Sequence, residues 1–300
     1  MPLKELIDNP HSERVRRLVA LGRGNSHDSK RFLVEGPQSV REAVRYASDS
    51  ISDIYVNKEA CATSEEENNQ SSTLQAIIKE ALSKDLYVHP VESSIIQKIS
   101  SDSQGIVAVS DAQSLDEFYA SEFHNLQNPV RTGNANNPLL IAACWQVRDP
   151  GNAGAIIRVA DVAGCAAVVF IDDCVSRWNS KLVRSTAGSL FHLPVVQMSV
   201  KDWFDYAKKS NTRVIAADIY GTDQNKPVPF PQILANNELT KSSLAILFGN
   251  EARGLTQDIL QKVDDISIIP IYGKAESMNL ATSAAVMLMG LAMSSHERKI

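Results

Sequence analysis

From Pro138 onward, short apolar runs alternate with segments of helical spacing, and this alternation constrains the fold of the 300-residue chain more than any other feature. The runs that predict strands are residues 139–144, 167–171, 194–198, 213–218, 244–248 and 266–271. The segments that predict helices are residues 151–163, 179–190, 200–209, 256–263 and 278–296. Strands that alternate with helices form a mostly parallel sheet with helices on both faces, and ligands bind at the carboxyl ends of its strands.

The first 111 residues show a second, smaller alternation. Strands are predicted at 31–35, 53–57, 86–89 and 105–110, and helices at 12–21 and 39–47. The polar and acidic run 63–73 predicts a solvated loop or a disordered insertion, and its composition does not decide between order and disorder. Asn, Gly and Pro within 112–137 predict a linker. We therefore predict an α/β protein with a small domain over 1–111 and a parallel-sheet domain over 138–300.

Composition narrows the class of protein. A hydrophobic fraction of 44% and a charged fraction of 22% are typical of a soluble globular protein. The longest apolar stretch, 278–293, contains Asn279, Thr282 and Ser283, which favours a buried helix over a membrane span. No signal-peptide pattern is visible in the first ten residues, and the four cysteines show no close pair spacing. We expect a cytoplasmic protein with no membrane partner and no metal site.

Charge gives two opposing indications about a nucleic-acid partner. The net charge of −5 argues against one, but residues 10–47 hold eight Arg or Lys against four acidic residues. The basic residues are Arg14, Arg16, Arg17, Arg23, Lys30, Arg31, Arg41 and Arg45. A local basic face favours RNA binding, and a merely solvated helix face explains the same pattern.

The first segment with chemical character is RDPGNAGAIIRVADVAG, residues 148–164. A strand ends, Pro150 to Asn152 make a turn, and a helix begins, whose free N–H groups and positive dipole end suit an anion. Arg158 is the only charged residue between Asp149 and Asp161. The alternative is a tight turn with an arginine that extends from a core helix to solvent. The segment lacks the G-x-G-x-x-G of a dinucleotide site, which argues against an NAD-dependent enzyme.

The second segment is LAILFGNEARGL, residues 244–255. A buried strand ends in Gly249, which would let a ligand approach the backbone. Asn250 and Glu251 place polar groups at the carboxyl end of that strand. The alternative is a plain turn in which Glu251 caps the helix that follows Leu255.

The third segment is ISIIPIYGKAESMNLATSAAVMLMG, residues 266–290. A strand stops at Pro270, a glycine-containing loop follows, and Ser277 and Asn279 lead into a long apolar helix. Ser277 could be the N-cap of that helix. An amide buried at Asn279 would need hydrogen-bond partners, which a purely structural interpretation does not supply.

Taken in order, D-P-G-N-A-G-x-x-x-R, L-F-G-N-E-x-x-G-L and I-P-x-x-G-x-x-x-S-M-N-L resemble the three motifs of the SpoU (TrmH) RNA 2′-O-methyltransferases. VRSTAGSLFHLPVV (183–196) resembles a further family segment, and RFLVEGPQSVREAV (31–44) is similar to the family's RNA-binding domain. Met278 and Leu280 stand where Leu and Val are commoner, a packing change. Cys144-Trp145-Gln146 before the first motif is less usual and could alter the substrate pocket.

The resemblance implies a C-terminal domain with a trefoil knot (the SPOUT fold), S-adenosylmethionine as methyl donor, and a homodimer formed through the knotted domain. Residues matching the donor-binding positions are Leu247, Gly249, Asn250, Ile269, Ile271 and Met278. Residues matching the catalytic and RNA-contacting set are Asn152, Arg158, Glu251, Ser277 and Asn279. Arg184 matches a basic position, and with Arg14, Arg31 and Arg41 it makes up the predicted RNA-binding set.

The implied reaction is attack of a ribose hydroxyl on a sulfonium methyl group. Arg158 has been cast as the base in this family, but a guanidinium stays protonated in proteins, so we expect Arg158 to clamp a phosphate instead. We expect 23S rRNA as substrate, because the N-terminal domain resembles those of rRNA enzymes. A tRNA methyltransferase and a catalytically inactive RNA-binding protein of the same fold are the alternatives, and the sequence does not identify the target nucleotide.

Overall fold

The structure is a computed structural model that describes residues 4–23, 30–61, 69–126, 138–236, 238–239 and 242–296. Its strands are β1 (Arg31–Glu35), β2 (Ile51–Asn57), β3 (Val88–Val91), β4 (Ile106–Asp111), β5 (Leu140–Trp145), β6 (Ala167–Ile171), β7 (Val195–Met198), β8 (Arg213–Ala217), β9 (Val228–Pro229), β10 (Leu244–Phe248) and β11 (Asp265–Ile268). Its helices are α1 (Glu13–Gly22), α2 (Pro37–Tyr46), α3 (Lys58–Cys61), α4 (Asn69–Ser83), α5 (Ser93–Ile99), α6 (Ala112–Asn125), α7 (Pro150–Val162), α8 (Ser180–Ser185), α9 (Val200–Lys209), α10 (Phe230–Ala235), α11 (Gln257–Leu260) and α12 (Leu280–His296). Short 3-10 turns occur at Ser48–Ser50 and Ser189–Phe191.

The predicted strands and helices are largely confirmed, and the largest differences lie in two segments judged by polar composition. Residues 69–73, predicted as part of a loop, begin α4, while 62–68 lie outside the described residues. Residues 112–125, predicted as linker, form α6, while 127–137 lie outside the described residues. Leu115, Tyr119 and Phe123 are buried at four-residue spacing, so α6 carries an apolar stripe that its polar neighbours conceal.

Contacts divide the chain into two units, Met1–Phe118 with Arg177–His192, and Tyr119–Ser176 with Leu193–Ile300. This division differs from the predicted domain limits, since 177–192 groups with the N-terminal residues. The reason is packing: α8 lies against β1, and Phe32 stacks on Trp178 with ring centroids 4.7 Å apart.

The first unit contains, within its described residues, a four-stranded sheet of order β1-β4-β2-β3. Strand β4 runs antiparallel to both β1 and β2, whereas β3 is parallel to β2. One face of this sheet buries Leu33, Tyr55 and Val107 against apolar residues of α1 and α5. Ser12 caps α1 by accepting a hydrogen bond from the backbone N–H of Val15.

The second unit contains, within its described residues, a parallel sheet of order β7-β6-β5-β10-β8-β11-β9. This confirms the parallel α/β sheet predicted from the alternation. Because β10 lies beside β5, with Phe248 opposite Cys144, the loops that follow both strands emerge next to each other. Helix α7 follows β5 and packs against α12, which brings the start of the last helix to the same edge. No helix in the described part of the chain is long and apolar enough to cross a membrane.

Candidate active site

A cleft of about 570 Å³ lies at the carboxyl ends of the strands of the second unit. The three segments singled out in the sequence all contribute to its lining, through Asn152, Gly249, Asn250, Glu251, Ile269, Ile271, Ser277, Met278 and Asn279. Leu247 and Arg158 are not among the described residues that line it. Leu247 is buried within β10, and Arg158 is exposed on α7.

Gly249 ends β10 at a point where the chain folds back closely on itself. A Cβ atom at this position would lie 2.6 Å from the carbonyl carbon of Gly254 and 2.8 Å from the backbone nitrogen of Leu255. Such distances are too short for any side chain, so the loop that follows β10 requires glycine here. The prediction gave a different reason, the approach of a ligand to the backbone.

Glu251 binds the backbone of the turn that leads into α7. Its Oε2 accepts a hydrogen bond from the backbone N–H of Arg148 at 3.2 Å, and its Oε1 accepts one from that of Asp149 at 3.0 Å. The N–H groups that Glu251 binds precede α7, and the side chain of Asp149, the N-cap of α7, accepts from the backbone N–H of Asn152. That the start of α7 binds an anionic ligand therefore stays a prediction. Glu251 does not cap α11, whose N-cap position is occupied by Thr256.

Asn152 and Asn279 connect the first and third segments. The Nδ2 of Asn279 donates to Oδ1 of Asn152 at 3.0 Å, and the Nδ2 of Asn152 donates to Oε1 of Glu251 at 3.4 Å. These side chains form a continuous chain of hydrogen bonds, here named the Glu251–Asn152–Asn279 chain. It joins all three segments although they are far apart in sequence.

Asn279 has a second role at the start of α12. Its Oδ1 accepts from the backbone N–H groups of Ala281 at 2.9 Å and Thr282 at 3.2 Å. Asn279 is therefore the N-cap of α12, and the interpretation of Ser277 as that cap is wrong. The expectation of a buried amide at Asn279 is also wrong, because the residue is exposed.

Sequence reasoning gave no role to Asp218 and Arg253, which follow β8 and β10, and noted Gln146 after β5 only as part of an unusual Cys144-Trp145-Gln146 run. The backbone carbonyl of Gln146 accepts from Nδ2 of Asn250 at 2.7 Å, and Oε1 of Gln146 accepts from Nη2 of Arg253 at 2.8 Å. Asp218 follows β8, lines the cleft and accepts from the backbone N–H of Tyr220 at 2.8 Å. Their position after strands of the predicted sheet was the signal that could have identified them.

Two cysteines lie near the first segment, Cys144 in β5 and Cys174 shortly after β6. Burial raises the pKa of the Cys144 thiol well above its usual range, with smaller contributions from Cys174 and Glu251. Burial likewise raises the pKa of Cys174 to about 11. The raised pKa values disfavour the thiolate form of both cysteines. All four cysteines are free, and no group of three or more metal-ligating side chains occurs among the described residues.

The predicted RNA-binding arginines lie in the first unit, where Arg14, Arg41 and Arg184 contact carboxylates. Arg14 lies 3.6 Å from Asp53, and Arg41 donates to Glu42 at 2.9 Å. Arg184 contacts both Glu35, at 3.2 Å, and Asp102, at 2.8 Å. Arg31 is exposed at the start of β1. The positive charge that composition assigns to this region is thus partly neutralised within the fold.

Comparison with known proteins identifies the family. The model of the SpoU rRNA Methylase family matches residues 139–289. The chain is 34% identical over 216 residues to the Bacillus subtilis 23S rRNA (guanosine(2553)-2′-O)-methyltransferase RlmP, covering 72% of this chain and 81% of the relative. It is 25% identical over 260 residues to the 23S rRNA (guanosine-2′-O-)-methyltransferase RlmB of Bordetella pertussis, covering 85% and 94%. The AdoMet-bound rRNA methyltransferase from Sinorhizobium meliloti has the same fold, with a TM-score of 0.74, 21% identity and full coverage of both chains. The chain belongs to the SpoU rRNA methylase family.

Proposed function

We propose that the protein transfers the methyl group of S-adenosylmethionine to a ribose 2′-hydroxyl of ribosomal RNA, with 23S rRNA as the substrate. The observation that carries this proposal is the Glu251–Asn152–Asn279 chain, which joins the three motifs beside the cleft. The family relatives named above are 23S rRNA 2′-O-methyltransferases, which supports the same reaction and substrate.

The cleft suits the methyl donor in size and chemistry. Its volume of about 570 Å³ lies in the range of small-molecule sites, and its walls combine apolar side chains with strand-end backbone groups. Gly249, Ile269, Ile271 and Met278 all line it, as expected for the donor-binding set. When bound, the donor supplies an electrophilic methyl group on a positively charged sulfur.

The chain's own residues then position the ribose. Glu251 holds the turn from Arg148 to Asn152, and Asn152 fixes the amide of Asn279. Arg158 lies two turns into α7, exposed, where its planar guanidinium would clamp an RNA phosphate. Positioning of the hydroxyl against the methyl group accounts for much of the rate in such a site.

The knot and the homodimer belong to this proposal. The proposal of a knotted chain path rests on membership of the SpoU family. Exposed apolar side chains on the packed pair α7 and α12 support self-association through this unit, namely Val162, Val286 and Met293. We propose that the first unit binds RNA through Arg14, Arg31 and Arg41. Arg184 is proposed to join them, and Arg14, Arg41 and Arg184 would each have to exchange a carboxylate partner for a phosphate. A cytoplasmic location stays a prediction.

The test is methyl transfer from labelled donor to 23S rRNA, followed by mapping of 2′-O-methyl marks in cells with and without the protein. One 23S position should lose its mark. Glu251→Gln retains the shape of the side chain but removes the charge that faces the start of α7, so the transfer rate should fall. Marks lost from tRNA instead would favour the tRNA alternative. Donor binding without transfer to any RNA would favour the inactive RNA-binding protein.

A further inference from the structure

A second cavity adjoins the cleft. It measures about 410 Å³ and is lined by Arg148, Asn250, Glu251, Ala252 and Arg253. The residues from Asn250 to Arg253 line both cavities, so this short turn separates the two. Two arginines line this small cavity, which adjoins the proposed site for RNA, a polyanion. The role of their guanidinium groups depends on which negative charges they contact.

The carboxylates near this cavity are already engaged. Both oxygens of Glu251 accept from the backbone at the start of α7. Arg148 pairs with Asp173, but the two side chains are 57% and 76% exposed, so this pair is weak and readily exchanged. The guanidinium of Arg253 hydrogen-bonds the neutral amide oxygen of Gln146, a contact that leaves its positive charge intact.

Gln146 holds Arg253 from a strained backbone position. Its φ of 51° lies in the left-handed region, which residues other than glycine rarely adopt. The hydrogen bond from Asn250 to its carbonyl oxygen, at 2.7 Å, stabilises this conformation. Non-glycine residues held in this region cluster at functional sites. One guanidinium N–H is used by Gln146, and the remaining donors of the planar group are available for a phosphate.

We propose that Arg253 binds a backbone phosphate of the RNA next to the target ribose, in the cavity it shares with Arg148, and that Gln146 is a positioning residue that orients its guanidinium. This inference rests on the proposed function and adds a second phosphate contact beside that of Arg158. Two fixed phosphates on the same strand set the register of the RNA, so that one ribose faces the cleft.

The first test is Arg253→Ala in the full-length protein. The KM for RNA should rise roughly tenfold, the effect of one charged hydrogen-bonding contact. The slope of log affinity against log salt concentration should fall by about one, as expected for one lost phosphate contact. Donor affinity, measured by calorimetry, should stay unchanged. Lys209→Ala, which removes an exposed cation at the end of α9, is the matched control and should change neither quantity.

The decisive variant is Gln146→Glu. This isosteric change keeps the contact to Arg253 but neutralises its charge, so the KM for RNA should rise about as much as in Arg253→Ala, again roughly tenfold. If Arg253 serves only to hold the loop, the new ion pair preserves that role, and an unchanged KM would overturn the proposal. Wild-type methyl transfer to rRNA, measured in the same series, separates a failure of the proposed function from a failure of the Arg253 proposal. Its absence would reject the proposed function, whereas RNA binding by the variants would still test the phosphate contact.

Discussion

The cleft of the second unit and the arginine-rich part of the first unit satisfy their polar groups in different ways. In the first unit, Arg14, Arg41 and Arg184 face carboxylates. Around the cleft, the carboxylate of Glu251 faces backbone N–H groups, and Arg253 faces a neutral amide. The contrast teaches that the number of basic residues does not give the charge available to RNA. The region richest in arginine has much of its charge paired, whereas near the cleft Arg253 hydrogen-bonds a neutral amide and keeps its charge.

The largest effect should come from Arg158, an exposed residue of α7 in the second unit. Arg158→Ala should lower kcat at least about a hundredfold through loss of substrate positioning, with donor affinity nearly unchanged. Arg158→Lys should recover little, since a point charge cannot reproduce the planar fork. Because a charged clamp adds no ionisation near neutrality, the pH profile of the single-turnover rate should not move in Arg158→Lys. A profile that shifts with the substitution would instead support Arg158 as the base.

Gly249→Ala tests whether the loop after β10 depends on a close backbone approach. The new methyl group would meet Gly254 at 2.6 Å, so the loop must shift. We expect a loss of about 2 kcal/mol in the free energy of unfolding, as for overpacking elsewhere, together with weaker donor binding. Urea denaturation and calorimetry measure the two effects. Unchanged stability with lost donor binding would restore the original reason, the approach of a ligand.

Two substitutions of Asn279 separate its role as the N-cap of α12 from its role in the Glu251–Asn152–Asn279 chain. Asn279→Ala removes both, and should cost about 1 kcal/mol of stability for the lost N-cap in addition to activity. Asn279→Asp keeps the cap but has no N–H to donate to Asn152, so stability should hold while the transfer rate falls. Thermal unfolding and single-turnover rates on both variants make the comparison. Equal activity in Asn279→Asp and wild type would show that the contact to Asn152 is dispensable.

The smallest effect is expected at Glu35 in the first unit, where arginines pair with carboxylates. Burial raises the pKa of this carboxyl, while the Ser100 hydrogen bond and the charge of Arg184 lower it less. The folded protein therefore holds the Glu35 proton more tightly than the unfolded chain does. Stability should thus decline as pH rises from the ordinary value of 4.5 through the raised folded pKa. In Glu35→Gln this contribution is absent. Urea titrations of both proteins across this range should diverge, and parallel curves would count against the burial argument.

Most strands of the sheets could be predicted because each is a short apolar run in the sequence. Strands β1, β6 and β10 coincide with apolar runs that can be read directly from the chain. Helix α6 could not be read in this way, because three buried residues spaced four apart are hidden among polar neighbours. A truncation that keeps only residues from about 134 onward would also remove β1, against which α8 packs. The order of the elements in the sequence does not reveal that α8 depends on β1.

The candidate site was predictable in its residues but not in its contacts. Asn152, Glu251 and Asn279 stand out as polar groups at the ends of apolar segments. Their partners depend on which strands are neighbours, and this is set by the three-dimensional packing of the sheet. The positive φ of Gln146 was likewise invisible, because glutamine is not a residue that usually adopts it.

The Glu251–Asn152–Asn279 chain also has a consequence for the protein during its own synthesis. Its last member is Asn279, and α12 must pack on α7 before that amide reaches Asn152. A nascent chain that has passed Glu251 but not Asn279 has the parallel strands β5 and β10 but an incomplete site. The order of translation therefore delays catalytic competence until nearly all of the second unit has emerged.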